Sequence, residues 1–462
     1  MINNPLDLSE IRVAVAIFLS NRDALACSLV CRAWSRDFTS NIWHTVDFAK
    51  HRSFEHLDPA IIAKNGQHIR VVESLSRDNE IGALQDPSIT NLKSIDVRVP
   101  LGSALRLYTV DLIRRNRGAL KNLEIEGNSG SEALTDFNFV DALIPKTTSS
   151  SSRLSRLALW DLCMTRDSFS VLLSACPLLR DIYLSNCNFL ENRNPDAFQS
   201  AQNSHVTRLC ASIRQVLEPH PGRSTQSLLV HFPGLKRWDA SSSTLTLSDD
   251  AAESIYRDLR DYCPEIVSIG TYSCSGPIVQ KLIAAASNSL TDVRFNYEAI
   301  TPGVIGSLLY HKSTLLGIGS YDPSVDYWDY ESDYVINLPD HFSSTGLGWM
   351  IQLIPMACFS LKILILPLHT MDMDVVERIP WICHGLRVLK IRVKDLDTEE
   401  DIEDVCEKWQ FAQREKMRNN PLAWHSAINI APATSVKYRV VMHLLQHSQL
   451  CSLWLGYKTW NV

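Results

Sequence analysis

The sequence predicts an α/β solenoid, a stack of strand-and-helix units carried behind a small N-terminal bundle of three helices. Three observations predict it. An apolar triplet at relative positions 1, 4 and 6 recurs along most of the chain after residue 68. Segments with apolar residues at helical spacing lie between the triplets. Residues 10–34, EIRVAVAIFLSNRDALACSLVCRAW, form short helix-like pieces that are apolar nearly all round, where a surface helix keeps a polar side.

In the N-terminal segment, Ile11, Val13, Val15, Ile17, Phe18 and Leu19 surround the first piece, and Leu25, Leu29, Val30 and Trp34 follow on the second and third. So short a segment buries too little surface to hide them all. Apolar surface left over ahead of a separate body marks a docking site for another protein. Ser9 is placed to cap the first helix, Ser20 to Asp23 read as a turn, and Cys27 and Cys31 fall on one helix face. This segment spans 1–50. Residues 51–68 are a helical junction: PAIIAKNG (59–66) reads as a short helix with Gly66 at its C-terminal cap, joining the segment rigidly to the first repeat.

The repeat body spans 69–462. Its triplets are Ile69-Val72-Ser74, Leu92-Ile95-Val97, Leu120-Leu123-Ile125, Leu154-Leu157-Leu159 and Leu179-Ile182-Leu184, resuming at Leu235-Trp238, Ile266-Ile269 and Leu290-Val293-Phe295. Leu315-Ile318, Leu361-Leu364-Leu366, Leu386-Leu389-Ile391 and Leu450-Leu453-Leu455 complete the series, and Val206-Leu209 marks a weaker unit in the longest early gap. Positions 4 and 6 are two residues apart, so on a strand they share one face; position 1 turns inward from the preceding bend. Segments 167–179, 249–266 and 277–290 carry the helical pattern, with Phe169, Leu172 and Leu173, then Ile255 and Leu259, then Ile278, Leu282 and Ile283. Pro177 and Pro264 stop the first two. Parallel strands are expected on the concave side of the array and helices on the convex side.

Three interruptions break the pattern. KTTSSSS (146–152) reads as a polar surface loop. An insertion near 320–345 has no Lys or Arg, and interleaves Asp322, Asp326 and Asp329 with Tyr327, Trp328 and Tyr330; aromatics anchor interfaces and acids select basic partners. A second insertion, near 397–420, reads as an amphipathic helix packing on the last repeats.

Residues 10–48 resemble an F-box. Glu10-Ile11, Val15 and Leu19 match its opening, Ser20 to Asp23 its turn, Leu29-Val30-Cys31-Arg32-Ala33-Trp34 its central helix, and Trp43, Val46 and Phe48 its close. Asp7-Leu8-Ser9 stands where the family usually has Leu-Pro. The body resembles the leucine-rich repeats that accompany F-boxes, since a period of roughly 20 to 29 residues per unit belongs to that class. The resemblance implies a substrate-recognition subunit of an SCF-type cullin–RING ubiquitin ligase. Ile11, Val15, Leu19, Leu25, Leu29 and Trp34 would face the adaptor subunit, and the repeats would bind a protein substrate. No bond chemistry is expected of the chain itself. A non-degradative interaction scaffold is the alternative left open.

Composition agrees with a globular interaction protein. The 462 residues are 45% hydrophobic. A net charge of −6 offers no basic face for nucleic acid. No apolar run is long enough to cross a membrane, and no secretory signal is recognisable. The twelve cysteines sit mostly in apolar contexts, which suits a cytoplasmic or nuclear setting. HLLQH (443–447) lacks the glutamate of a zinc-protease helix, and no other metal or cofactor motif is evident, so none is expected.

Overall fold

The computed structural model describes residues 6, 8–50, 54, 56–98, 105–127, 139–144, 152–190, 202–217, 227–241, 249–272, 274–286, 290–296, 299–321, 351, 353–371, 376, 381–393, 440, 444, 452–455 and 458–461. They fall into two compact units, Met1–Leu235 and Lys236–Val462.

The first unit opens with three helices, α1 (Ser9–Ala16), α2 (Asn21–Ser28) and α3 (Arg32–Ile42). After β1 (Thr45–Asp47) and α4 (Pro59–Asn65) come strands β2 (Val71–Leu75), β3 (Ser94–Arg98), β4 (Asn122–Glu126) and β5 (Arg156–Trp160). The unit continues through β6 (Cys163–Thr165), β7 (Asp181–Ser185), β8 (Asn188–Leu190) and β9 (Arg208–Ser212). Helices α5 (Asp78–Ala83), α6 (Leu105–Asn116), α7 (Val140–Leu143) and α8 (Arg166–Ala175) connect successive strands, and α9 (Ile213–Leu217) follows β9. The sheet order is β1-β2-β3-β4-β5-β7-β9, all parallel, while β6 and β8 pair separately.

The triplet explains this sheet. Position-4 residues stand in register from strand to strand: Val72, Ile95, Leu123, Leu157, Ile182 and Leu209. All are buried, as are the position-1 residues Ile69, Leu92, Leu120, Leu154, Leu179 and Val206. Each such side chain contributes roughly 1.5–3 kcal/mol by leaving water. A backbone ladder ties the bends together: Lys121 and Asn122 both donate to the Lys93 carbonyl at 2.8 and 2.9 Å, and Ser155 and Arg156 to that of Lys121 at 2.8 and 3.0 Å. The weak Val206-Leu209 unit is a full member, since β9 pairs with β7.

The second unit repeats the plan. Its strands are β10 (Arg237–Ser241), β11 (Ser268–Tyr272), β12 (Asp292–Asn296), β13 (Gly317–Tyr321), β14 (Ile363–Met371), β15 (Val388–Val393), β16 (Ser452–Leu455) and β17 (Lys458–Asn461). Between them lie α10 (Asp249–Tyr262), α11 (Gly276–Ala285), α12 (Pro302–Tyr310) and α13 (Leu353–Ala357). Trp238, Ile269, Val293, Ile318, Leu364, Leu389 and Leu453 share one register line. The expected inward residues Ile255, Leu259, Ile278, Leu282 and Ile283 are buried. Buried cysteines recur three residues before position 1, at Cys176, Cys263, Cys358 and Cys383. Burial pushes their thiols up to about 11, 12, 11 and 12, so they pack as small apolar groups.

Several details differ from the sequence expectation. Position 6 of the first triplet is Leu75, not Ser74: Ser74 bulges out at φ 59° and its N–H donates to Asp96, while Leu75 pairs with Val97 and is buried. Strand β1 lies inside the span assigned to the N-terminal segment, yet it is hydrogen-bonded to β2. The sheet is not wholly parallel, because β17 runs antiparallel to β16. Gly66 does end α4, but at φ −54° rather than in the left-handed conformation. Its need for glycine is space: a Cβ there would lie 2.2 Å from Ser88 Oγ. The insertion from Asp322 onward, the 397–420 segment, most of 146–152 and both histidines of HLLQH lie outside the described residues.

Candidate functional site

The N-terminal helices hold themselves together with very little. Ala16, Ala24 and Phe38 are buried, with Leu19, Cys27, Trp34 and Ile42 packed partly against them. Trp34 and Phe38 stack with ring centroids 5.6 Å apart. Ser20 caps α2 by accepting from the Asp23 N–H at 3.2 Å, so the expected turn is a helix start. Leu29 ends α2 and α3 begins only at Arg32. Leu29 and Val30 therefore lie in the link between helices, and Cys27 and Cys31 do not share a helix face. Cys31 instead precedes α3 in extended backbone at φ −162°.

Polar anchors fasten α1 to α3. Arg12 is buried and donates from Nε and Nη2 to Asp37 Oδ2 at 2.7 and 2.5 Å, with Nη1 on the Leu6 carbonyl at 2.7 Å. Asn41 donates to the Ala16 carbonyl at 2.7 Å. Ser9 does not cap α1; it is the first helical residue, and its hydroxyl bonds to Asp37 instead. The Arg12 guanidinium holds the Asp37 carboxyl below its ordinary value of 3.8. A depressed carboxyl contributes stability that is complete above the unfolded value and is lost as pH falls through the folded one. Asp37→Asn should therefore weaken hydrogen-exchange protection of α1 and α3 at pH 7, with the gap to wild type closing as acid protonates Asp37. A gap of equal size on both sides of that titration would refute the ion-pair account.

With the interior so filled, the remaining apolar side chains face water. Phe18, Leu29 and Ile17 are 88%, 79% and 73% exposed. Ile11, Val13, Val15, Leu25 and Val30 are exposed as well. Of the six expected contact residues, Ile11, Val15, Leu25 and Leu29 lie at the surface, whereas Leu19 and Trp34 help hold the helices together. Ile17, Phe18 and Val30 belong with the surface set. Their signal was the same all-round apolarity. Asp322, Asp326, Tyr327, Trp328, Asp329 and Tyr330 lie outside the described residues.

Among the described residues no group of three or more His, Cys, Asp or Glu is disposed to hold a metal ion, and no helix is long and apolar enough to cross a membrane. The arrangement defines an α/β repeat protein with a three-helix N-terminal segment that presents apolar side chains to solvent. No family model matches the chain. No curated protein matches it. Among solved structures it is similar to the yeast Rad7–Elc1 complex, at 13% identity and a TM-score of 0.37, covering 85% of this chain and 91% of that one. It is also similar to the mouse RP105/MD-1 complex, at 11% identity and a TM-score of 0.27, covering 77% of this chain and 55% of that one. At these scores neither likeness bears on function.

Proposed function

We propose that the chain is a substrate-recognition subunit of an SCF-type cullin–RING ubiquitin ligase, working in the cytoplasm, the nucleus or both. The N-terminal helices act as an F-box that docks the adaptor subunit, and the repeat body holds a protein substrate. The chain makes and breaks no bonds. It raises the effective concentration of substrate lysines beside a ubiquitin-charged enzyme. The observation that carries this reading is the exposed set Ile11, Val15, Phe18, Leu25 and Leu29 on a helical segment fixed by its own small core and a buried ion pair. Exposed apolar clusters of this kind are interaction surfaces.

The test is capture of the purified adaptor subunit by the full chain. Leu25 and Leu29 stand outside the small core, so Leu25→Ala with Leu29→Ala leaves the helices packed. Truncating an apolar anchor typically costs about 2 kcal/mol, or roughly thirtyfold in affinity. The double variant should bind the adaptor at least that much more weakly and keep its circular dichroism spectrum. Undiminished binding would sink the reading. Trp34→Ala is the poorer probe, because it removes the ring stacked on Phe38. Ubiquitin transfer to a co-purifying protein, dependent on residues 1–48, separates a ligase subunit from a non-degradative scaffold.

A further inference from the structure

In the first unit, the residue after position 1 of each triplet sits at the bend and builds the backbone ladder. Successive members are joined through the Arg70 N–H to the His44 carbonyl at 2.9 Å, Lys93 to Arg70 at 2.6 Å, Lys121 to Lys93 at 2.8 Å, Ser155 to Lys121 at 2.8 Å and Arg180 to Ser155 at 2.8 Å. Neighbouring strands are about 4.8 Å apart, so Arg70, Lys93, Lys121 and Arg180 lie along one row of about 19 Å. Lys93, Lys121 and Arg180 are exposed, and among the described residues no ion pair joins them to a carboxylate.

The fold does not require cations there. In the second unit the same ladder runs from Lys236 through the uncharged Val267, Thr291 and Leu316 to Lys362 and Arg387, and the bonds among the uncharged members, 2.8 Å for both Thr291 to Val267 and Leu316 to Thr291, match those between the cations. The backbone does the structural work, and the side chain is free to vary. The positive charge in the first unit therefore has no role in the ladder itself. Lys93 and Arg70 also make their presence felt on a neighbour: after burial, they are what hold the His44 imidazole below its ordinary value. The one carboxylate adjoining Arg180 in sequence, Asp181, stands in register between Arg156 and Arg208.

We infer that this row is a binding track for an extended acidic polypeptide segment. The inference deepens the proposed function by assigning a substrate class to the repeat body, but the binding itself needs no adaptor. Roughly six residues of extended chain, at about 3.3 Å each, match the row's length. Beside the row, Arg156 and Arg208 lie over the Tyr183 ring with Asp181 in register between them, and Asp96, Glu124 and Glu126 occupy strands β3 and β4, so the unshared positive charge is confined to the row. Such a line suits a single extended strand carrying carboxylates; a nucleic-acid duplex needs a broad basic face.

The probe is a fluorescent peptide of Glu–Ser repeats, titrated with the full chain, beside its Gln–Ser counterpart and a single-stranded dT oligomer. The wild type should bind the Glu–Ser peptide with an affinity that falls steeply as salt rises. Lys93→Ala, Lys121→Ala and Arg180→Ala together should weaken it about tenfold, at the modest worth of exposed pairs, and flatten the salt dependence. Lys93→Arg with Lys121→Arg, which keeps both charges, should bind the peptide as the wild type does. Lys362→Ala with Arg387→Ala, at the equivalent bends of the second unit, should change nothing. Neither should Leu25→Ala with Leu29→Ala, so a failed adaptor experiment and a failed peptide experiment are told apart. No binding by the wild type, equal binding by the triple variant or the Gln–Ser peptide, or tighter binding of the oligomer would each overturn the proposal.

Discussion

Trp238→Ala should destabilise the second unit by about 3–5 kcal/mol, the usual cost of removing a buried aromatic ring. Trp238 is the largest fully buried side chain among the described residues. It occupies position 4 of β10 and stands in register with Ile269 on β11. Ala240, the other inward position on the same strand, and Ile269 are fully buried too, so the cavity would open inside a close-packed interior. In a repeat array each unit leans on its neighbours. The damage should thus show first as lost hydrogen-exchange protection in β10 and β11, and then as a lowered urea midpoint with little change in slope. Tyr310→Ala provides the contrast, since that ring is well exposed and its loss should cost no more than about 0.5 kcal/mol. A Trp238 variant as stable as the Tyr310 variant would mean that the position-4 line does not hold the unit together.

That line was legible because it depends on periodicity alone. A strand places positions 4 and 6 on one face whatever the neighbours do, so Ile95 and Val97, Leu123 and Ile125, or Val293 and Phe295 announce themselves. Ser74 did not, because a single bulged residue shifts the phase and hands the inward position to Leu75. The same limit hid the ion pair in the N-terminal helices. Arg12 reads as a charge interrupting an apolar run, and its partner Asp37 lies 25 residues away on another helix. Nothing local in either segment records that they meet. Ser9 illustrates the competition: its side chain suits a helix cap, yet a buried carboxylate is the stronger acceptor and takes the hydroxyl. The exposed apolar set was visible in outline, since more apolar residues surround α1 and α2 than three short helices can cover. Which of them form the small core depends on the crossing of α1 and α3, and there Leu19 and Trp34 pack partly against Ala16, Ala24 and Phe38. The cationic row was hidden for another reason. Arg70, Lys93, Lys121 and Arg180 are scattered in sequence and become a row only when the bends are stacked.

Deleting residues 154–178 should abolish soluble expression, although the cut removes one whole period and lets Leu179 follow where Leu154 stood. The backbone could be rejoined in principle, because β4 and β7 present the same triplet geometry to a neighbour. The side chains could not. The deletion removes Phe169, whose ring lies 5.2 Å from Phe189 and 6.3 Å from Phe232. It removes β6, the partner of β8. It also removes the Leu173 and Cys176 carbonyls, which accept from the buried Asn203 side chain at 3.3 and 3.2 Å. A buried amide left without acceptors costs about 1–3 kcal/mol. Stripping the aromatic contact from Phe189 and Phe232 adds a loss of the size expected for a large-to-small core change. Against a stability of roughly 5–15 kcal/mol for a folded protein, these losses together leave little. The measurement is soluble yield, followed by the sharpness of urea unfolding for whatever remains in solution. A soluble deletion that unfolds cooperatively would show that the units are interchangeable blocks, and that neighbour-specific packing is not the source of their stability.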